Sequence, residues 1–256
     1  MLVLYDFGLS PFAQKVKIAL REKGIPFERR NGLTGEGTKD VRRLSRRGEV
    51  PLLLDGEAVI TDSRIILDYI DEKWPDPPLL PGDSARRAES RMLEDLCDTE
   101  IEAIIYNIGE LMSCQDGPEP VRQAVDAFGR SELKRIQDDL SGRLGGDDYF
   151  SGPEIGRADM ALLPHMNVSR LLRLPPEEPN LQAWLKRMNA RPSVSETVTE
   201  VKQSLDDFKA LMAAVQGGGA QRQMRDHRLD WLMRAGGAAI VEARLAAGNI
   251  RFATPH

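Results

Sequence analysis

The spacing of apolar positions changes period several times within the first 75 residues. LVLY at 2–5 is a continuous apolar run of strand length. Over 11–23, Phe12, Val16, Ala19 and Leu20 recur at helical spacing, and Gly24 follows where a helix C-terminus favours glycine. Pro26-Phe27-Glu28-Arg29 starts a second short strand, so the chain opens β-α-β, with parallel pairing expected through a right-handed crossover. NGLTGEGT at 31–38 is a Gly-rich loop, and the basic stretch 39–47 has room for a short helix. EVPLLLDGEAVI then reads as a β-hairpin. Leu52-Leu53-Leu54 and Ala58-Val59-Ile60 are its arms, and Asp55-Gly56 is the turn. Thr61-Asp62-Ser63 caps a further helix with Ile65, Ile66, Tyr69 and Ile70 on its apolar stripe. The sum is β-α-β-α-β-β-α.

WPDPPLLPGD at 74–83 ends that pattern, and its concentration of Pro and Gly marks a linker. Beyond it the spacing is helical almost throughout. Met92, Leu93, Leu96, Cys97, Ile101, Ile104, Ile105, Ile108 and Leu111 stripe one long segment, 85–114. Further helices are expected from Pro118-Pro120 to about Arg143, and near 157–173, 180–190 and 194–215. QGGGAQRQ at 216–223 reads as a flexible joint. A last helix-like segment follows, broken at Gly236-Gly237. The expected division is an α/β domain at 1–76, a linker at 77–84, an all-helical domain at 85–215, and a joint with a helical extension at 216–256.

Composition narrows the function. The 256 residues are 41% hydrophobic and 29% charged, which suits a packed globular core. A net charge of −5 argues against a non-specific nucleic-acid binder. Cys97 and Cys114 form no CxxC, and His165, His227 and His256 fit no metal-ligand spacing, so no metal is expected. The start, MLVLYDFG, has no signal-peptide pattern, and no run approaches the ~20 apolar residues of a membrane span. A cytoplasmic location without membrane contact is the expectation. The Gly-rich loop contains neither GxxxxGK[ST] nor GxGxxG, so it is not a nucleotide loop.

The chemistry centres on FGLSPFAQKV. Ser10-Pro11 is a well-formed helix start, with Ser as cap and Pro at the first helical position. A hydroxyl there is also placed to hold an anion, because free N–H groups and the helix dipole favour negative charge. The two roles do not compete. Val50-Pro51 enters the hairpin, and Asp62-Ser63 starts the helix after it.

Ser10-Pro11, Val50-Pro51 and Asp62-Ser63, in that order on a β-α-β-α-β-β-α domain with a Pro-rich linker and a helical domain behind it, resemble the cytosolic glutathione transferases. GEVPLLLDGEAVITDSRIILDYIDEKWPDPPLLPGD carries most of the likeness, which covers roughly residues 2–205. The resemblance implies a thioredoxin-like first domain that binds glutathione and an all-α second domain. Where thioredoxin-like proteins carry CxxC, this chain has Ser10 and Ala13, which excludes dithiol chemistry at this turn. The implied mechanism is of the serine type. Ser10 stabilises the glutathione thiolate, which is scarce at neutral pH because a free thiol has a pKa near ~8.5. The thiolate then attacks a small hydrophobic electrophile.

By the same resemblance Val50-Pro51 is a cis pair beside the cysteinyl part of glutathione. Asp62 meets the γ-glutamyl amine and Ser63 the γ-glutamyl carboxylate, with Phe12 alongside. Glu49 departs from the Gln or Lys of many relatives and would repel the glycyl carboxylate, so Arg46 or Arg47 is expected to supply the cation. Phe12, Tyr106, Met112, His165 and Trp231 are the expected electrophile pocket. Gly156 and Asp159 in GRADMALLPHM match a helix-start motif with a folding role. Tyr5 is expected to be structural and Cys97 inert, with Cys114 the more reactive thiol. A homodimer and a detoxifying transferase are implied. Glutathione-dependent ether cleavage or dehalogenation, and a non-catalytic binding or regulatory protein, are the alternatives. The extension is expected to pack on the helical domain or cover the pocket mouth.

Overall fold

The computed structural model describes residues 1–217 and 221–252. Residues 218–220 of the expected joint, and 253–256 with His256, lie outside the described residues.

The first domain forms as its periodicity predicts. Strand β1 (Leu2–Asp6) is followed by α1 (Pro11–Glu22) and β2 (Phe27–Asn31), and β1 pairs with β2 in parallel. Helix α2 is Gly35–Leu44. β3 (Leu52–Asp55) runs antiparallel to β1, and β4 (Ala58–Thr61) runs antiparallel to β3, giving the order β2-β1-β3-β4. Helix α3 (Ser63–Lys73) closes the domain. Leu4, Leu53, Val16, Leu20, Ile66 and Ile70 are buried between the sheet and the helices. This is a thioredoxin-like domain.

Helix α2 starts earlier than the Gly-rich composition suggests. The Asn31 side chain accepts from the backbone N–H groups of Leu33 and Thr34, at 3.0 and 3.1 Å, and folds the loop into a tight turn. Gly37 then lies against the end of β2, where a Cβ would stand 1.8 Å from the Asn31 carbonyl oxygen. Here glycine permits close packing and leaves the helix intact.

The second domain is helical: α4 (Ser84–Leu96), α5 (Glu102–Ser113), α6 (Glu119–Leu144), α7 (Arg157–Leu171), α8 (Pro179–Asn189), α9 (Pro192–Gln203) and α10 (Leu205–Gln216). The single helix expected over 85–114 is interrupted by a π-helical turn at Cys97–Ile101. The segment expected at 194–215 is broken at Ser204. That residue abuts the loop before α1, where a Cβ on Gly8 would meet the Ser204 hydroxyl oxygen at 2.1 Å. Phe208 and Leu211 of α10 cover a small cluster of Tyr5, Phe7, Val41, Val50 and Leu52.

The extension is ordered into β5 (Arg222–Met224), α11 (Asp226–Arg234), α12 (Ala238–Ala246) and β6 (Ile250–Phe252), with β5 and β6 paired in parallel. The break between its helices falls at Gly236-Gly237, as the sequence predicts. Helix α11 packs on α5 and the π turn, and α12 packs on α6. Periodicity misses the strands because each has only three residues. Among the described residues, no helix is long and apolar enough to cross a membrane.

Candidate active site

A cavity of about 240 Å³ lies where the first domain, the π turn and the extension meet. Phe12 of α1 lines it, followed by Arg47, Glu49, Val50 and Pro51 from the loop before β3. Asp62, Ser63 and Arg64 line it at the start of α3. The second domain contributes Asp98 and Thr99, and the extension contributes Arg225, Asp226 and His227. Seven residues nominated from sequence for glutathione therefore converge: Phe12, Arg47, Glu49, Val50, Pro51, Asp62 and Ser63. Arg46 is exposed and does not line the cavity.

Local chemistry explains their placement. The Val50–Pro51 peptide is cis. Asp62 has a positive φ of 70°, which costs a non-glycine residue roughly 1–3 kcal/mol, while its carboxylate accepts from Arg64 N–H at 2.9 Å and caps α3. Such strain concentrates at working sites. Ser63 is buried at the first position of that helix. Ser10 caps α1: its hydroxyl oxygen accepts from Ala13 N–H at 3.3 Å. It is half-buried and stands two residues before Phe12, outside the set that lines the cavity.

Glu49 is not a bare anion. Arg47 Nε lies 2.8 Å from its carboxylate, Gln223 Nε2 donates to it at 2.5 Å, and Arg225 Nη2 lies 3.4 Å away. Two of these three partners come from the extension. Arg225 also stacks over the Phe12 ring at 4.6 Å. Burial holds its pKa below the ordinary guanidinium value despite Glu49. On the other side, Asp98 accepts from the buried ammonium of Lys15 at 2.5 Å, and Lys15 also reaches Glu94 at 2.7 Å. Burial lifts the Asp98 carboxyl to about 6; Lys15 opposes this and the neighbouring Glu94 adds to it.

The extension is anchored beneath the cavity by Glu102. Its carboxylate pairs with His227 Nε2 at 2.9 Å and receives the Arg228 guanidinium, with Nε at 3.0 Å. Burial alone would raise the Glu102 pKa, but Arg228 and His227 hold it far below the usual carboxylate range. Arg228 also lies 3.6 Å from the Tyr106 ring centroid.

The residues nominated for the electrophile, other than Phe12, stand elsewhere. Trp231 is buried in the main core, with its ring against Phe128 at 5.9 Å. His165 is buried, and burial pulls its pKa down to about 4, so it is neutral. Tyr106 lies under Arg228, and Met112 is exposed at the surface. None of these four lines the cavity. An aromatic or sulfur side chain in a helical stripe has no sequence mark that separates core from pocket. Cys97 is fully buried, and burial pushes its thiol well up. Cys114 is also buried and accepts from Arg222 Nη2 at 2.6 Å. Asp159 is a folding hub: it accepts from Phe150 N–H, Gly156 N–H and Trp184 Nε1–H at 2.9, 3.1 and 2.8 Å.

The family model for the glutathione S-transferase N-terminal domain matches residues 4–78, and the model for the C-terminal domain matches 98–192. This chain belongs to the cytosolic glutathione S-transferase family of enzymes. It is 31% identical to glutathione S-transferase U28 of Arabidopsis thaliana over 207 residues, covering 77% of this chain and 88% of that protein. A glutathione S-transferase of Methylobacterium radiotolerans, solved in complex with glutathione sulfonate, shares 30% identity with a TM-score of 0.66. The match covers 77% of this chain and 94% of the other. Rice GST1, solved in complex with glutathione, shares 27% identity with a TM-score of 0.64, covering 83% of this chain and 96% of the other. Both family models end before the extension, so Arg225, Asp226 and His227 join the cavity from outside the matched stretches. Among the residues that line the cavity, the sequence likeness rests most on Val50-Pro51 and Asp62-Ser63. Asp98 and Thr99 fall at the first positions of the C-terminal match but belong to no motif that the sequence analysis singled out.

Proposed function

We propose that this glutathione S-transferase binds glutathione in the 240 Å³ cavity and conjugates it to a small hydrophobic electrophile. The observation that carries the reading is the convergence of the Val50-Pro51 pair, Asp62 and Ser63 on one cavity beside the N-terminus of α1. Residues 1–76 hold most of the glutathione contacts. At the start of α3, the Asp62 carboxylate suits an ammonium. The Ser63 hydroxyl and the first N–H groups of the helix suit a carboxylate beside it. At the start of α1, the Ser10 hydroxyl donates to the sulfur as the thiolate forms, and the helix dipole acts in the same direction. The Ser10 oxygen can keep its bond from Ala13 N–H while its own proton points to sulfur. The molecule works as a homodimer in a cytoplasmic, detoxifying role.

A binding protein without turnover is the second reading, and one observation favours it: Ser10 stands outside the cavity lining. Glutathione binding measured by calorimetry, alongside turnover with a generic aryl halide, decides between the two. Micromolar to millimolar binding with conjugation supports the transferase, and binding without conjugation supports the second reading. Absence of binding at millimolar glutathione rejects the transferase and leaves a non-catalytic protein that uses the fold for other binding or for regulation.

A further inference from the structure

The cavity has two electrostatically different ends. At the α3 end, Asp62 and Asp98 stand with the Ser63 hydroxyl, the helix N-terminus and Arg64. That end offers an anion for an ammonium and donors for a carboxylate, side by side. At the other end, Arg47 and Arg225 both approach the carboxylate of Glu49, and Asp226 follows Arg225 in the lining without an ion pair to it among the described residues. Arg47, at 2.8 Å, with Gln223 is enough to satisfy Glu49. This leaves Arg225 without a close carboxylate partner among the described residues.

The contacts of Arg225 are few. Its side chain is only 19% exposed, yet among the described residues its one ion pair is the long 3.4 Å approach to Glu49. A guanidinium has five N–H donors; no Arg225 nitrogen is sealed off without a partner, so the donors that Glu49 does not take open into the cavity, where an arriving anion would meet them. The guanidinium carbon lies 4.6 Å from the Phe12 ring centroid, a favourable cation–π contact.

Glutathione, if it is the ligand as proposed above, has one end with an ammonium and a carboxylate on the same carbon, and another with a carboxylate alone. The mixed end fits the α3 side. We propose that Arg225 binds the lone, glycyl carboxylate of glutathione, so that the C-terminal extension is part of the glutathione site. Glu49, which in isolation would repel that carboxylate, instead holds Arg47 and Arg225 in place and is itself gripped by Gln223 of β5. Gln223 is in turn held through Arg251 of β6, whose Nη2 donates to its amide oxygen at 3.2 Å. The short β5–β6 pair thus positions Arg225.

The test compares two ligands on three proteins: glutathione and its glycinamide, which lacks only the glycyl charge, on the wild type, Arg225→Gln and Arg225→Lys. Loss of a charge-assisted contact of this kind is expected to weaken glutathione binding about 10- to 100-fold in Arg225→Gln. Binding of the glycinamide should stay within about two-fold, because the lost contact is to a charge it does not have. Arg225→Lys should recover part of the loss. Unfolding midpoints of all three proteins report whether the extension still docks. Equal weakening of both ligands would make Arg225 a structural residue and overturn the proposal, as would no change in either. If the wild type binds neither ligand at millimolar concentration, the glutathione reading itself falls and this assignment falls with it.

Discussion

Ser10 and Asp62 look alike in the sequence, each a polar cap before an amphipathic helix, and the backbone separates them. Ser10 has ordinary extended geometry, whereas Asp62 is held at positive φ. The sequence therefore shows both as caps but cannot show that one is strained. Asp98 was not legible at all. It lies inside an apolar stripe, and it matters because a π turn forms there and because Lys15, far away in sequence, is buried against it. Its pKa near 6 gives a prediction. Ionised Asp98 adds negative charge at the ammonium end of the cavity, so glutathione binding should tighten as pH rises through about 6. Asp98→Asn should flatten that transition, measured as the dissociation constant between pH 5 and 8. The effect on stability runs the other way. The folded chain holds this proton more tightly than the unfolded one, so Asp98 favours folding at low pH and loses that contribution as pH rises through its folded pKa.

At the scale of elements, α11, α12 and the glycine break between them were readable from periodicity, but their grip on the protein was not. Arg222, Arg225, Arg228 and Arg244 of the extension each face an acid earlier in the chain: Glu110, Glu49, Glu102 and Asp116. Their partners are more than a hundred residues upstream, which no local pattern reports. Glu102 is the anchor with the clearest consequence. Replacing it with Gln strands Arg228 and His227 in a buried setting and should cost about 3–5 kcal/mol, read as a lower unfolding midpoint and faster proteolysis within the extension. Because the Glu102 pKa is depressed in the folded state, its contribution is full above the ordinary carboxylate range and is lost only as pH falls below it. Acid should release the extension, and mild base should not.

At the scale of the whole molecule, the two domains are joined by buried ion pairs as well as apolar packing. Lys15 of α1 meets Glu94 and Asp98, Lys17 meets Glu200 at 2.8 Å, and buried Arg157 of α7 links Glu94 of its own domain to the half-buried Asp68 of α3. Domain class was legible because strand and helix periods change at the Pro-rich linker; the interface was not, because a lysine in a helical pattern reads as solvent-facing. Val59, Ile65 and Met92 remain exposed on β4, α3 and α4. If the proposed homodimer uses this face, Met92→Glu with Ile65→Glu should shift the sedimentation coefficient from dimer to monomer, while a charge at exposed Leu171 should not.

In the proposed mechanism the start of α1 activates a thiol carried by glutathione. Titrating the ultraviolet absorbance of thiolate in the enzyme–glutathione complex tests it most directly. The bound thiol is expected to ionise at least about one pH unit below the free value near ~8.5. Ser10→Ala should move the midpoint back towards that value without abolishing binding, and Ser10→Thr, which keeps the hydroxyl and the cap, should not. A bound thiol that titrates like free glutathione, or a midpoint unchanged in Ser10→Ala, would contradict it.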